Sequence, residues 1–254
     1  MMIIPETHPR YKSLMARDRL VACIKAGITS QQGLIAHGRG EAFDYLIGER
    51  TLSSTRRATE VAAAMLLIAD KPVLSVNGNV AALVAKEIIE LSKLLNAPLE
   101  VNIFYRTEAR ARRIKELLEN QGADNVLGDK LDAEIPGIEH ARAKVDREGI
   151  YSADVVLAPL EDGDRCKALV DMGKKVITID LNPLSRTSKQ ASVSIVDNIE
   201  RAMKNIISAL KAGSKSKADL AALLLNYDNN VNLKAVIEEI RGRLKQEELN
   251  VNLK

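Results

Sequence analysis

From residue 71 onward the chain alternates short apolar runs with amphipathic stretches of ten or more residues. That rhythm restricts the fold more than any other feature. Segments 71–76, 99–104, 123–127, 154–158, 175–179 and 191–196 read as strands. Segments 80–95, 107–120, 162–172 and 198–210 read as helices. Short apolar strands joined through helices predict an α/β fold, a doubly wound parallel sheet covered on both faces. Segment 131–149 fits the rhythm least well, although 138–147 can form a helix. Right-handed crossovers put every strand's C-terminal end on one edge, where such sheets bind ligands. The residues to watch are therefore 77–79, 105–107, 159–164 and 180–187.

The flanks differ from this core. Residues 1–70 read as an N-terminal helical segment. One helix begins after Pro9 and ends near Gly27. Gly33, Gly38 and Gly40 predict a turn or loop within 31–40, and a short helix resumes at 41–47 and closes at Gly48. Ser53 or Ser54 caps a third helix that runs to Ala69. Residues 214–254 read as a C-terminal helical appendage, with helices at 218–225 and 231–244. The expected organisation is one α/β domain over 1–213, with its core at 71–213, followed by that appendage. The pentapeptide NVNLK occurs at 230–234 and again at 250–254, too short a repeat to define a solenoid.

Composition narrows the function. The chain has no Trp, two Phe and five Tyr among 254 residues, so base stacking is not its mode of recognition. The net charge of +3 argues against nucleic acid as a partner but leaves a local phosphate site open. Cys23 and Cys166 form no CxxC, and no apolar run is long enough for a membrane span, so a reducing, cytoplasmic compartment is expected. His8, His37 and His140 lack metal-ligand spacing, so no protein-held metal site is predicted. The G-x-G-x-x-G fingerprint, a working P-loop and a G-x-S-x-G elbow are missing.

What remains is a set of polar groups at strand ends. Arg39 lies between two glycines, suited to a phosphate or carboxylate, with Glu41 and Asp44 near enough in sequence to orient it. Asn77, Gly78 and Asn79 stand where a strand becomes a helix, a natural anion site. Arg106 follows the second strand. Arg110, Arg112 and Arg113 read as a solvated face or a dimer surface. Asp180, Asn182, Ser185, Arg186 and Thr187 crowd one loop after the last strong strand. No nucleophile or acid/base pair is evident. The pattern suits a phosphorylated substrate and a nucleotide handled by position and electrostatics.

With those residues in view, the chain resembles the archaeal phosphopantothenate synthetases, the 4-phosphopantoate–β-alanine ligases. The resemblance is carried by His8-Pro9-Arg10-Tyr11, Arg17, GLIAHGRGEAFDYL at 33–46, SVNGNVAAL at 75–83, Tyr105-Arg106-Thr107-Glu108 and residues 180–187. It runs over nearly the whole chain, and the 33–46 string is its most specific part. It implies a Rossmann-like fold, a homodimer and a cytoplasmic enzyme of coenzyme A biosynthesis. The reaction would join 4-phosphopantoate to β-alanine through an acyl adenylate, consuming ATP and releasing AMP and diphosphate. The family's ATP contacts would fall on Arg17, Arg39, Asp180, Leu181, Asn182, Arg186, Thr187, Asn198 and Ile199. Arg17, Arg39, Arg186 and Mg²⁺ would neutralise the phosphates. His37 is a candidate base for the β-alanine amine, and Arg39 is the expected catalytic cation. Asn77, Gly78, Asn79 and Arg106, chosen from the residues themselves, are expected to hold phosphopantoate. The competing classes are an NAD-linked or other nucleotide-binding α/β enzyme, disfavoured by the missing glycine fingerprint, and a non-catalytic ligand-sensing module.

Overall fold

A computed structural model describes residues 4–212 and 216–252. Three helices lead: α1 (Tyr11–Lys25), α2 (Gln31–Ile47) and α3 (Ser53–Ile68). The turn expected within 31–40 is absent, because α2 runs unbroken through its glycines. Interior glycines cost a helix roughly 1 kcal/mol each. Here tertiary contact requires one of them. A Cβ on Gly33 would lie 2.5 Å from Asn79 Oδ1 and 2.7 Å from Thr29 Oγ1. Ser30 caps the helix by accepting from the Gly33 amide, and Gly48, at φ +80°, ends it as expected. The cap of α3 is also not the expected one. Ser53 and Ser54 lie inside the first turn, and Glu239, from far down the chain, accepts from both of their amides. A carboxylate suits a helix N-terminus, and these bonds hold Glu239 below the ordinary carboxylate pKa against the opposing effect of its partial burial.

The alternating region forms β1 (Pro72–Val76), α4 (Gly78–Leu95), β2 (Leu99–Val101), α5 (Glu108–Asn120) and β3 (Val126–Leu127). A small antiparallel pair follows, β4 (Ala133–Glu134) with β5 (Lys144–Val145). The helix expected at 138–147 is instead a single 3-10 turn, Ala141–Ala143, inside that hairpin. Then come β6 (Val155–Leu157), α6 (Gly163–Asp171), β7 (Lys175–Ile179), α7 (Arg186–Gln190), β8 (Val193–Ile195) and α8 (Ile199–Lys211).

Six parallel strands pair in the order β3-β2-β1-β6-β7-β8. Leu74 and Val76 of β1 face the larger core, shared with α1, α3, α4, α5 and α8. Val73 faces a second core with α6 and the β4–β5 segment. Both faces are therefore covered, which is why each strand is a short apolar run. The winding reverses between β1 and β6, so a crevice opens at their C-terminal ends.

The last helices are α9 (Lys217–Leu225) and α10 (Asn229–Asn252). Helix α9 packs on α3, and α10 packs on α2, α3, α7 and β8. Leu233 and Val236 of α10 share a third core with Ile47, Leu52, Leu181 and Val196. The expected boundary at 213–214 and the end of the second NVNLK copy lie outside the described residues.

Gly78 is where α4 meets the segment between α1 and α2. An added Cβ would stand 2.7 Å from the Ile28 carbonyl oxygen and 3.0 Å from Thr29 Cα. Backbone cannot swing away as a side chain can. Gly78→Ala is expected to destabilise the protein by about 1–3 kcal/mol in a urea titration. An unchanged midpoint would show that the contact is loose.

Candidate active site

The floor of the crevice is made by Asn77. Its Oδ1 accepts from the amides of Asn79 at 3.0 Å and Val80 at 3.1 Å, capping α4. Its Nδ2 donates to the carbonyls of Pro159 at 3.0 Å and Leu160 at 3.1 Å, beyond β6. Asn79 accepts from Thr29 Oγ1 at 2.6 Å and donates to the Gly33 carbonyl at 2.8 Å. The two amides expected to face a substrate are thus engaged within the chain. They bind the crevice together and hold α2 above it.

Helix α2 presents different groups on its two sides. His37, Glu41 and Asp44 follow each other at i, i+4 and i+7, on one face. Glu41 accepts from Ser13 at 2.6 Å and from Arg17 Nε at 2.9 Å. Asp44 is ion-paired with Arg201, which also pairs with Asp197 at 2.7 Å. Asn198 caps α8 by accepting from the Glu200 amide and donates to Asp44 at 3.3 Å. Glu41 and Asp44 therefore organise α1 and α8; they do not orient Arg39. His37 Nε2 is buried, 3.9 Å from Glu41 Oε1, with no hydrogen-bond partner among the described residues. Burial holds its pKa below the ordinary histidine value, with Glu41 opposing the shift and Arg17 adding to it. A neutral ring with a free nitrogen borders a pocket of about 240 Å³, lined also by Arg17, Leu34, Gly38 and Tyr45.

Arg39 is two residues from His37, so a helix turning about 100° per residue puts it on nearly the opposite side. It is exposed. Its charge helps lower the pKa of Asp180, which burial raises overall. The adjacent Gly40 brings α2 within 3.8 Å, from an added Cβ, of Leu181 Cδ1. Asp180 ends β7 and folds its loop: Oδ1 accepts from the Asn182 amide at 2.9 Å and Oδ2 from Ser185 Oγ at 2.5 Å. Asn182 accepts from the Leu184 amide at 2.9 Å. Arg186 pairs with Asp164 at 3.1 Å, both well exposed. Thr187 is buried and donates to the Glu161 carbonyl at 2.7 Å. Leu181 and Ile199 are buried aliphatic groups.

Arg106 stands apart, beyond β2. Its side chain is 6% exposed, Nη2 donates to the Gly128 carbonyl at 2.7 Å, and Nη1 has no partner among the described residues. Arg110 is not a solvated residue as expected. It donates to the carbonyls of Ile28 at 3.2 Å and Tyr105 at 3.0 Å, and burial lowers its pKa.

A buried charge network beneath the same edge escaped the sequence reading. Glu100 of β2 is 0% exposed and accepts from the Asp146 amide at 3.2 Å and the Ile150 amide at 2.6 Å. Arg142 is held by Asn102, Glu161 and Asp162, and Arg165 pairs with Glu161. A usable signal existed. Glu100 sits between Leu99 and Val101 in a strand covered on both faces, where a charge must find partners.

Burial raises the Glu100 pKa to about 7, against the lowering effect of its two amide bonds and Arg165. The folded protein thus keeps a proton between the ordinary value of 4.5 and about 7 that the unfolded chain releases. Stability contributed by this group falls as pH rises through that window, by on the order of 3 kcal/mol. Urea titrations at about pH 5 and pH 8 should show a smaller difference for Glu100→Gln than for the natural protein. Parallel slopes would contradict the assignment.

An open parallel sheet, its winding reversed at a crevice edged by cations, defines a Rossmann-like α/β ligand-binding protein. The family model for phosphopantothenate/pantothenate synthetase matches residues 54–243, and the chain belongs to that family. A relative from Thermococcus kodakarensis is 53% identical over 246 residues, covering 96% of this chain and 94% of its own. One from Methanosarcina mazei is 54% identical over 243 residues, covering 95% and 96%. One from Methanospirillum hungatei is 50% identical over 242 residues, covering 95% and 98%. All three are named 4-phosphopantoate–β-alanine ligase.

Proposed function

We propose that this protein is a 4-phosphopantoate–β-alanine ligase, forming 4′-phosphopantothenate with ATP converted to AMP and diphosphate. The reading is carried by near-full-length identity of 50–54% to relatives bearing that name. The geometry is compatible with it. The nucleotide lies over the end of β7, between Arg39 of α2 and Arg186 of α7. Asp180, Asn182 and the Asn198 side chain border its polar edges. With no Trp in the chain, the aliphatic Leu181 and Ile199 serve the adenine in place of a stacked ring.

The chemistry sets two demands. A carboxylate must approach an α-phosphate, so two anions meet and cations must neutralise them. Arg39 and Arg186 supply that charge on one side of α2, and Arg17 on the other. The substrate carboxylate is itself the nucleophile, so the acyl adenylate forms without a protein nucleophile, consistent with the residues present. The second step needs a deprotonated amine. Neutral His37 is the candidate base for that proton, provided that the amine reaches it from the Arg17 side of α2, opposite Arg39. Phosphopantoate occupies the crevice above Asn77, Gly78 and Asn79, with its phosphate toward Arg106.

Among the described residues no three His, Cys, Asp or Glu side chains gather to hold a metal ion. Mg²⁺ in this reading travels with the triphosphate, which suits an ion that keeps most of its waters. No described helix is long and apolar enough to cross a membrane. We place the enzyme in the cytoplasm, as a homodimer.

The test is AMP release from ATP. It is expected only when 4-phosphopantoate and β-alanine are both present, and its failure under those conditions overturns the ligase reading. Arg39→Ala should lower kcat by about 10²-fold or more. Arg39 is exposed on α2 and flanked by glycines, so unfolding stability should move by no more than about 0.5 kcal/mol. A large loss of stability would instead make Arg39 structural.

A further inference from the structure

The chain leaves β6 through a strained corner. Leu160 has φ +52°, a left-handed conformation that a branched side chain adopts only where its surroundings impose it. Two bonds impose it here: its amide donates to the Ile179 carbonyl at 3.0 Å, and its carbonyl accepts from Asn77 Nδ2. The corner turns the next residue, Glu161, under the sheet edge, where its side chain is 1% exposed.

There Glu161 joins the two sides of the crevice. Oε2 accepts from Arg142 Nη2 at 2.7 Å and from Arg165 Nη1. Oε1 accepts from the Asp162 amide at 2.7 Å and faces Arg142 Nη1 at 2.5 Å. Arg142 continues the chain of contacts, donating from Nε to Asn102 Oδ1 at 3.0 Å, beyond β2. On the other side, the Glu161 carbonyl receives the Thr187 hydroxyl from the first turn of α7. One carboxylate serves two buried guanidiniums. Arg165 is fully buried and its Nε and Nη2 have no partner among the described residues. A network this tightly shared holds one geometry, and removing the carboxylate common to both guanidiniums leaves Arg165 without its ion-pair partner and Arg142 with Asp162 alone.

We infer that Glu161 is a positioning residue for the ligase reaction. It acts through Arg142 and fixes the wall beyond β2 relative to the nucleotide loop, so that the acyl carboxylate and the α-phosphate meet in line. The inference rests on the ligase reading. It differs from a merely structural role in what it moves: alignment for reaction, with the nucleotide's own contacts left in place.

The experiment measures AMP release by Glu161→Gln, Arg142→Gln and the double variant, with melting curves to confirm that each is folded at the assay temperature. Each single variant is expected to lose about tenfold or more in kcat, while KM for ATP changes by less than about threefold. The double variant is expected to lose no more than the worse single one, because both changes break the same link. A kcat within about twofold of the natural enzyme for folded Glu161→Gln overturns the proposal, as do losses that multiply in the double variant. Should Glu161→Gln not fold, Arg142→Gln alone carries the test with the same thresholds, since Glu161 then still pairs with Arg165. A natural enzyme that releases no substrate-dependent AMP would defeat the ligase reading itself, and this proposal with it. A natural enzyme active beside an unaffected variant defeats only the proposal.

Discussion

Everything at the functional edge depends on how the gap between β1 and β6 is closed. A parallel sheet whose winding reverses has helices leaving to opposite sides at that point, and the backbone groups there lose their regular partners. The Asn77 amide supplies them. Its oxygen caps α4 and its one nitrogen holds both carbonyls that follow β6. No other side chain of that size offers an acceptor and two donors in one plane. The crevice is therefore held open at a set width by hydrogen bonds that are not available to a ligand.

Two consequences follow from that closure. Asn79 ties α2 down over the edge, and Gly33 and Gly78 let the backbones approach closely enough for it. Helix α2 then divides the region, with His37 and Arg17 on one side and Arg39 facing Asp180 on the other. The carbonyl of strained Leu160 is fixed by the same amide, which sets the direction of Glu161 and of the buried charges behind it. Cationic groups are thus distributed around the crevice by packing, not clustered by sequence.

The sheet was legible because its physics is local. Strands covered on both faces must be short and apolar, and the crossover helices must be amphipathic, so 71–210 reads directly as alternating elements. The hairpin at 133–145 was not legible, since its strands are two residues each and carry no periodicity. Helix α2 was misread for a related reason. Three glycines are a turn signal by propensity, but the helix is held by Asn79, from far along the chain, which donates to the Gly33 carbonyl. The cap on α3 comes from Glu239, equally distant.

By itself the sequence determined the class of sheet, the shortage of aromatic platforms and, through long shared strings, the family. Each of these follows from local composition or from contiguous residues. Tertiary structure alone decided which polar groups are free. Asn77 and Asn79 look like ligand groups in sequence and are consumed by the fold. Glu161 and Arg142 carry no individual signal in the sequence and are buried partners. A side chain's availability depends on neighbours brought together across the fold, and spacing along the chain does not encode that.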